Sequence, residues 1–205
     1  MKKSINPRLK IIRRLGSLIP GLARVEGDLR RPYPPGQHGA TRRSKIFDYS
    51  LRLREKQKLR FNYGLRERKM IQYAKKAFRI KGNHGLALLY MLESRLDNIV
   101  FRSGFASSVK SARQLISHGH IIVNKNKVDI PSFSVKVGDI LDVLTTSKMK
   151  NQIQARSKDF HKNRLPSYLS KSLNGLSITK IKTPIRKDIL IIINEQLIVE
   201  FYAGL

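Results

Sequence analysis

The strongest constraint on this chain is its positive charge. Its 205 residues include 42 lysines and arginines but only 14 aspartates and glutamates, which leaves a formal net charge of +28. Cations at this density repel one another, so the folded chain needs a dense polyanion close to much of its surface. Nucleic acid fits this requirement best. An acidic membrane is an alternative, but the longest apolar runs, residues 86–92 and 189–193, are far shorter than the roughly 20 residues that span a bilayer.

The N-terminal residues predict a short basic helix. Residues 1–14 are basic and carry no acid, a pattern that organelle transit peptides share. Pro7 favours a mature helix instead, because proline is common at the first helical position and apolar residues follow at helical spacing. We expect this helix to end at Gly16. The chain has no cysteine, which excludes disulfides and thiolate zinc sites and fits a reducing compartment.

Residues 16–44 are rich in proline and glycine and predict a long irregular loop. Such a loop is unusual in a compact domain, and RNA would order it most readily. The next segment, residues 48–63, predicts a helix with Arg52, Lys56 and Arg60 in one stripe. Like charges stacked at this spacing destabilise an isolated helix, so the stripe implies a phosphate partner.

The remaining elements follow from apolar spacing, capping residues and β-branched alternation. The predicted helices cover residues 65–81, 86–96, 96–102, 109–118 and a C-terminal stretch that Asn194 caps and Gly204 follows. The predicted strands cover residues 121–124, 128–130, 135–137, 140–144 and 176–181. The sequence Asn124-Lys125-Asn126 is expected to close a hairpin. Residues 145–163 are polar and weakly periodic, which predicts a linker or a poorly ordered insert.

These elements predict an α+β fold, with a mostly helical N-terminal domain and a small second domain of two helices packed on an antiparallel sheet. Four segments are expected. They are a basic N-terminal helix and irregular loop (1–47), helical domain one (48–94, completed by the C-terminal helix 194–203), a second domain (95–182) with a linker-like insert at 145–163, and a C-terminal segment that returns to domain one (183–205).

Four runs of residues stand out together and in one order. They are PRLKIIRRLG at 7–16, PGQHG at 35–39, LREKQKLR at 53–60 with Tyr63-Gly64, and RLDN at 95–98 leading to ARQL at 112–115 and on to IPS at 130–132. Together they resemble the family of the fourth protein of the bacterial-type small ribosomal subunit. The resemblance covers nearly the whole chain, from Pro7 to Tyr202, and residues 145–163 are its least assignable part.

The resemblance implies a structural constituent of the small ribosomal subunit, with no enzymatic activity and no cofactor. Family members bind small-subunit ribosomal RNA early, grip a multi-helix junction in its 5′ domain and nucleate assembly there. They lie near the messenger RNA entry channel and contact neighbouring ribosomal proteins, and the interface with the fifth small-subunit protein influences decoding accuracy. The isoleucine-, lysine- and asparagine-rich sequence favours a plastid-encoded copy in the chloroplast stroma, with a bacterial cytoplasm or a mitochondrion as alternatives.

Two departures from the family pattern bear on local structure. Some relatives hold the N-terminal loop with a cysteine-bound zinc, whereas this chain must rely on turns and on RNA. The family usually has Asn-Gly in the hairpin of domain two, where this chain has Asn124-Lys125. A left-handed lysine costs roughly 1 kcal/mol, so we expect the turn to be re-formed with Asn126 at positive φ.

The residues predicted to bind RNA are cations and hydrogen-bond donors on the predicted helices and in the family motifs. In the first half of the chain they are Arg8, Arg13, Arg14, His38, Arg42, Arg43, Lys45, Arg52, Lys56, Arg60, Lys69, Lys76 and Arg79. In the second half they are Lys110, Arg113, Gln114, His118 and His120, which match the binding helix and hairpin start of the family. By resemblance, the basic stretch around Arg42, Arg43 and Lys45 approaches messenger RNA.

Several residues have a competing interpretation. His118-Gly119-His120 resembles part of a metal site, but zinc normally needs three or four protein ligands, and neither a cysteine nor a nearby carboxylate completes the set. Glu93 and Asp97, spaced four apart, could form a catalytic acid pair; with so many cations nearby, salt bridges or capping are favoured. Tyr49 and Tyr63 are candidates for base stacking or for the core, and Phe101 and Phe105 are assigned to the core.

Two other classes of protein compete with the ribosomal interpretation. A module like residues 95–143 also occurs in pseudouridine synthases and some aminoacyl-tRNA synthetases, so an RNA-modifying enzyme is one rival. The chain leaves no room for a catalytic domain and has neither a phosphate-binding glycine loop nor a nucleophile elbow. A generic cationic protein bound to DNA or acidic membranes would explain the charge but not the four ordered motifs.

Overall fold

The computed structural model describes residues 8–22, 31, 33–41, 47–144, 149–159, 165–172 and 174–204. Within these residues the fold is α+β, which confirms the predicted class. The chain forms two compact units, one of Met1–Phe78 with Leu190–Leu205 (unit one) and one of Arg79–Ile189 (unit two). The division predicted from the sequence instead assigned residues 48–94 to one domain, and it stays a prediction. None of the described helices is both long and apolar enough to serve as a membrane span.

The described residues contain eight α-helices, five strands and a short 3-10 turn at Arg186–Asp188. The helices are α1 (Arg8–Leu15), α2 (Asp48–Asn62), α3 (Glu67–Ala77), α4 (His84–Glu93), α5 (Leu96–Arg102), α6 (Val109–Ser117), α7 (Lys150–Asp159) and α8 (Glu195–Ala203). The strands are β1 (Ile121–Val123), β2 (Asn126–Lys127), β3 (Ile140–Val143), β4 (Leu169–Lys171) and β5 (Ser177–Lys180). Every helix predicted from apolar spacing is confirmed, although α3 is shorter at both ends than residues 65–81.

Unit one is a helical packing in which α2 contacts both α1 and α8, and α3 contacts α8. The helix α1 buries Ile12 and Leu15 and ends at Gly16, whose φ of 65° only glycine adopts without strain. The chain then passes close to the end of α2, where Gly21 N–H donates to Asn62 Oδ1 at 2.9 Å. A Cβ on Gly21 would lie 2.0 Å from the Asn62 carbonyl oxygen, so this approach requires glycine.

Unit two packs helices against one antiparallel sheet with strand order β2-β1-β3-β5-β4. Its core includes Leu96 and Ile99 from α5, Ile116 from α6 and Ile178 from β5, all fully buried. Phe105 is also fully buried, and a partly buried Phe101 packs against the same cluster. The assignment of both phenylalanines to the core is therefore confirmed.

Two of the predicted strands are absent from the described sheet. Residues 128–130 and 135–137 form no strand, and β1 pairs with the two-residue strand β2 on one side and with β3 on the other. The backbone in this region forms hydrogen bonds with the residues at the start of α5. Val135 N–H donates to the Ser94 carbonyl, and Leu96 N–H donates to the Phe133 carbonyl. The alternation of β-branched residues did not distinguish this extended backbone from a strand that is paired in a sheet.

The hairpin between β1 and β2 turns on two left-handed residues, Asn124 at φ 49° and Lys125 at φ 67°. The expectation that Asn126 takes the positive φ is wrong, because Asn126 pairs with Val123. The Asn124 side chain stabilises the turn: its Nδ2 donates to Asp139 Oδ1 at 2.8 Å, and its Oδ1 accepts from the backbone N–H of Ile140 in β3 at 2.9 Å. These bonds offset the strain at Lys125.

Residues 145–163, predicted as a linker or poorly ordered insert, contain the helix α7. Ile153 is fully buried against the core of unit two, and Ser157 Oγ donates to the Gly175 carbonyl at 2.6 Å. The linker expectation is therefore wrong for the helical residues, and residues 145–148 and 160–164 lie outside the described part of the chain. A helix that buries so few apolar positions leaves only a weak periodic signal in the sequence.

Candidate RNA-binding surfaces

The helix α6 presents polar side chains on the side away from the core. Ser108 caps its N-terminus by accepting from Ser111 N–H at 3.2 Å, and Ala112, Leu115 and Ile116 face inward. On the other side of the helix, Lys110 and Gln114 are exposed to solvent, and the Arg113 side chain is 28% exposed. We call the side chains of Lys110, Arg113, Gln114, His118 and His120 the second basic surface.

The two histidines follow α6 directly. His118 is exposed and His120 half-buried, with ring centroids 6.0 Å apart. Between them Gly119 has φ 70°, and a Cβ there would lie 2.0 Å from Lys127 Cε. Glycine therefore allows the Lys127 stem to cross this turn, which brings a further ammonium group beside the histidines. The structure thus adds Lys127 to the second basic surface.

A buried carboxylate lies behind Arg113. Asp97 is 1% exposed and accepts from Arg95 Nε and Nη2 at 2.9 and 2.8 Å. The same carboxylate accepts from Arg113 Nε at 2.7 Å. A forked guanidinium–carboxylate pair fixes both partners in one plane, so the core of unit two determines the orientation of a cation at its surface.

Glu93 belongs to a second buried network and is not paired with Asp97. It ends α4, and its Oε2 accepts from Asn98 Nδ2 at 2.6 Å and Tyr168 Oη at 2.8 Å, with Arg102 Nε at 3.5 Å. Burial and the neighbouring Glu93 charge raise the pKa of Tyr168 well above its ordinary value, which keeps the hydroxyl a donor. The interpretation of both acids as salt-bridge partners is confirmed.

The cationic stripe of α2 is balanced within unit one. Arg52 Nε donates to Glu200 Oε2 at 2.8 Å. Lys56, 5% exposed, has its ammonium 2.9 Å from Glu67 Oε1 and 4.6 Å from the centre of the Phe201 ring. These carboxylates come from α8 and α3, so the stripe does not by itself require phosphate.

Arg60, the third member of the stripe, is partly exposed. Its Nε lies 4.0 Å from Glu67 Oε2, and its guanidinium lies 4.4 Å from the centre of the Phe61 ring.

The other predicted residues of unit one differ in exposure. Arg13 donates to the carbonyls of Tyr33 and Pro34 at 3.1 and 3.2 Å and lies 4.9 Å from the Tyr33 ring centre, so it holds the loop to α1. Arg8 is half-buried. The exposed members are Arg14, His38, Lys69 and Lys76, which we call the first basic surface. Arg79, also exposed, is the first residue of unit two. Arg42, Arg43 and Lys45 lie outside the described residues.

Comparison with known proteins identifies the family. Residues 3–93 match the model described as "Ribosomal protein S4/S9 N-terminal domain", and residues 94–141 match the model described as "S4 domain". The chain is 49% identical over 204 residues to the small ribosomal subunit protein uS4 of Synechococcus sp. (strain JA-2-3B'a(2-13)), covering 99% of this chain and 98% of that protein. The chain belongs to the uS4 family.

Two further relatives place the chain among the uS4 proteins of cyanobacteria and plastids. It is 46% identical over 203 residues to the uS4c of Oltmannsiellopsis viridis, covering 99% of this chain and all of the relative (100%). It is 43% identical over 204 residues to the uS4 of Cyanothece sp. (strain PCC 7425 / ATCC 29141), covering 99% of this chain and 98% of the relative. The chain is therefore a ribosomal protein of the plastid or bacterial type.

Membership of the uS4 family decides between the classes weighed from the sequence. The family consists of structural, non-enzymatic proteins of the small ribosomal subunit, and this chain is one of them. The match extends over 99% of this chain, so nearly all of its residues align with a uS4 protein. The described residues contain no group of three metal-ligating side chains.

Exposure also separates the two tyrosines that were candidates for base stacking. Tyr63 is 2% exposed and belongs to the core of unit one, whereas Tyr49 is 64% exposed and lies 6.0 Å from the Phe201 ring. Sequence reasoning missed the exposed hairpin cations Lys125 and Lys127, although two lysines beside an Asn-containing turn were a visible signal.

Proposed function

We propose that this chain is a primary small-subunit rRNA-binding protein that nucleates assembly of the 5′ domain. The second basic surface carries this proposal. It lies within the stretch that matches the S4 domain, and it combines exposed donors on α6 with an arginine that the buried Asp97 orients. A rigid cation matches a fixed arrangement of phosphates at a smaller entropic cost than a mobile one.

The binding mechanism that this surface supports is recognition of backbone and shape. Folded RNA has a deep major groove that side chains read poorly, so phosphates and 2′-hydroxyls are the accessible groups. Arg113 suits phosphate because its guanidinium donates several hydrogen bonds in a plane. Lys110 and Lys127 add charge, while Gln114 adds a neutral donor and acceptor. Affinity should therefore fall steeply as salt rises.

In unit one, we assign RNA contact to the first basic surface. Its side chains are exposed, and Lys69 and Lys76 lie on α3. Arg79, exposed at the start of unit two, is proposed to contact RNA as well. Lys56 and Arg52 have carboxylate partners within the protein, which supports a mainly structural role for both. Arg42, Arg43 and Lys45 are proposed to face messenger RNA near its entry channel, on the resemblance alone.

We further propose a contact with neighbouring ribosomal proteins, including the fifth of the small subunit, through which the chain contributes to translational accuracy. Exposed apolar side chains in unit one support a protein partner. Leu190 is 61% exposed and Ile192 is 88% exposed, on an extended segment whose alternate residues Ile191 and Ile193 are buried. Apolar side chains at such exposure favour protein contact over phosphate contact. The ribosome concerned is proposed to be that of the chloroplast stroma.

A competition filter-binding assay tests the proposal. Labelled 5′-domain rRNA would be bound by the full-length chain in the presence of excess unlabelled RNA of random sequence and equal length. Retention of the labelled fragment is the expected result, since specific binding exceeds non-specific electrostatic binding. Complete displacement by the random competitor would contradict the proposed function.

A further inference from the structure

The tip of the hairpin between β1 and β2 holds a lysine in an unusual backbone conformation. Lys125 has φ 67°, and in this left-handed region the Cβ of an L-residue crowds the following carbonyl oxygen. Among the described residues, glycine occupies eight positions of positive φ, and the only other residues there are Asn124 and Lys125. Asparagine tolerates this region because its short side chain bonds locally, whereas lysine has no such compensation.

The hairpin leaves Lys125 no other conformation. The strands β1 and β2 pair right up to the turn, so the loop has two residues, and a turn of this type requires positive φ at both. The Asn124 side chain fixes the turn from outside, since its Nδ2 donates to Asp139 Oδ1 at 2.8 Å and its Oδ1 accepts from Ile140 N–H at 2.9 Å. Relaxation of Lys125 would break the pairing and these bonds, so the strain persists.

No polar contact of the lysine side chain offsets this strain within the described part of the chain. Lys125 is exposed, and it makes no ion pair or side-chain hydrogen bond with another described residue. The carboxylate that bonds the turn is already engaged, because Asp139 Oδ2 accepts from Lys136 N–H at 2.7 Å and Oδ1 from Asn124. A strained residue without a partner in the fold points to a role in binding.

The position of Lys125 indicates the ligand. Two residues further along the same hairpin, the Lys127 stem crosses the turn at Gly119, where a Cβ would lie 2.0 Å from its Cε. The hairpin therefore adjoins the second basic surface, which includes His118 and His120. An exposed ammonium at the tip extends the positive charge of this surface beyond Lys127, and phosphate is the anion that folded RNA presents to it.

We propose that Lys125 binds a phosphate of small-subunit rRNA, and that this contact accounts for a lysine at a position where glycine would fold without strain. The turn holds the backbone of Lys125 in place, so only its side chain loses freedom on binding. The inference rests on the proposed function and extends the second basic surface to the tip of the hairpin. Lys125 therefore weakens the fold while it strengthens RNA binding, and the two effects can be measured separately.

Two substitutions at this position separate the charge from the strain. Lys125→Gln removes the charge but keeps a side chain at positive φ, whereas Lys125→Gly removes both the charge and the strain. Lys187→Gln is the matched control, because Lys187 is exposed in the same unit and lies outside the hairpin. Urea denaturation of the full-length chain measures stability. Filter binding to 5′-domain rRNA, with a random RNA competitor and at several salt concentrations, measures Kd.

Both Lys125 variants should bind more weakly, with Kd raised about fivefold and the slope of log affinity against log salt reduced by about 1. They should differ in stability. Lys125→Gln should unfold at the wild-type urea midpoint, whereas the folding equilibrium constant of Lys125→Gly should be about threefold higher, because relief of strain outweighs the added freedom of glycine in the unfolded chain. Lys187→Gln should match the wild type in both measurements.

Wild-type Kd in both Lys125 variants would overturn the phosphate contact and leave the proposed function standing. Weaker binding by Lys125→Gly alone would overturn it as well, since the backbone and not the charge would then matter. If Lys125→Gly is no more stable than Lys125→Gln, the inferred strain is wrong. If the wild-type chain shows no preference for the fragment over random RNA, the proposed function itself fails.

Discussion

Asp97 Oδ2 accepts a hydrogen bond from Arg113 Nε at 2.7 Å, although the two residues lie on different helices. The Asp97 side chain is 2% exposed and that of Arg113 is 28% exposed. The Asp97 carboxylate, which orients the Arg113 guanidinium, is therefore too buried to contact RNA. The Arg113 guanidinium itself is exposed enough to contact RNA. The two residues therefore have different roles. Arg113 binds RNA, whereas Asp97 stabilises the fold and orients the Arg113 side chain.

Replacing Arg113 should weaken RNA binding more than folding. Arg113→Ala is expected to raise the free energy of binding to 5′-domain rRNA by about 1–3 kcal/mol, as for a lost charged hydrogen bond. The slope of log affinity against log salt should fall by about 1. Arg156→Ala, on the exposed face of α7 outside both basic surfaces, is the matched control. An unchanged affinity for Arg113→Ala would remove Arg113 from the site.

Replacing Asp97 should weaken folding first. Asp97→Asn leaves the buried Arg95 without its counter-charge, and breaking a buried pair in this way costs roughly 3–5 kcal/mol. Urea denaturation of the full-length chain measures the loss. The control variant Asp129→Asn, at an exposed position of the same unit, should be nearly neutral. Wild-type stability in Asp97→Asn would show that the two arginines do not depend on this carboxylate.

Replacing Lys56 and Lys69 in turn should distinguish a lysine that stabilises the fold from a lysine that binds RNA. Lys56→Met removes the buried partner of Glu67 and should lower the free energy of unfolding by roughly 1–3 kcal/mol, with little change in the salt dependence of RNA binding. Lys69→Met, at an exposed position, should leave stability unchanged and reduce the salt slope by about 1. Denaturation and filter binding on both variants check this pairing, and the reverse pattern would contradict it.

Two buried tyrosines should make the protein sensitive to alkali. Burial, with Glu93 beside Tyr168 and Glu67 beside Tyr202, raises the pKa of each hydroxyl above its ordinary value. The unfolded state therefore loses these protons first as pH rises past about 10. Each tyrosine then lowers the free energy of unfolding, by at most about 1.4 kcal/mol per pH unit and less for the partly buried Tyr202, until its hydroxyl ionises in the folded state as well. Denaturation at a series of alkaline pH values should show a shallower decline for Tyr168→Phe. An identical decline would exclude Tyr168 as a cause.

The sequence predicted the helices of this fold well because their signals are local. Asn194 does cap α8, by accepting from Gln196 N–H at 3.0 Å, and Gly16 ends α1. The spacing of Lys110, Arg113 and Gln114 on one helix likewise predicted that they share a face, and RNA binding by that face stays a prediction.

Interactions between distant residues were not predictable in this way. The charges on Arg52 and Lys56 indicated RNA, yet Glu200 and Glu67 reach them from α8 and α3, and nothing in the spacing of α2 reveals those partners. The helix α7 was missed because its burial depends on the neighbouring sheet. The positive φ of Lys125 was missed because the turn is stabilised by a hydrogen bond from Ile140 N–H in β3 to the Asn124 side chain. Each case is a tertiary contact that overrides local preference.

Co-sedimentation tests the central claim most directly. The purified chain would be mixed with small ribosomal particles lacking their own copy of this protein and separated on a density gradient, alongside the Arg113→Ala variant. The account predicts that the wild-type chain migrates with the particles in equimolar amount and that the variant is released at lower salt. A wild-type chain that remains at the top of the gradient would contradict the claim that these basic surfaces fit small-subunit RNA.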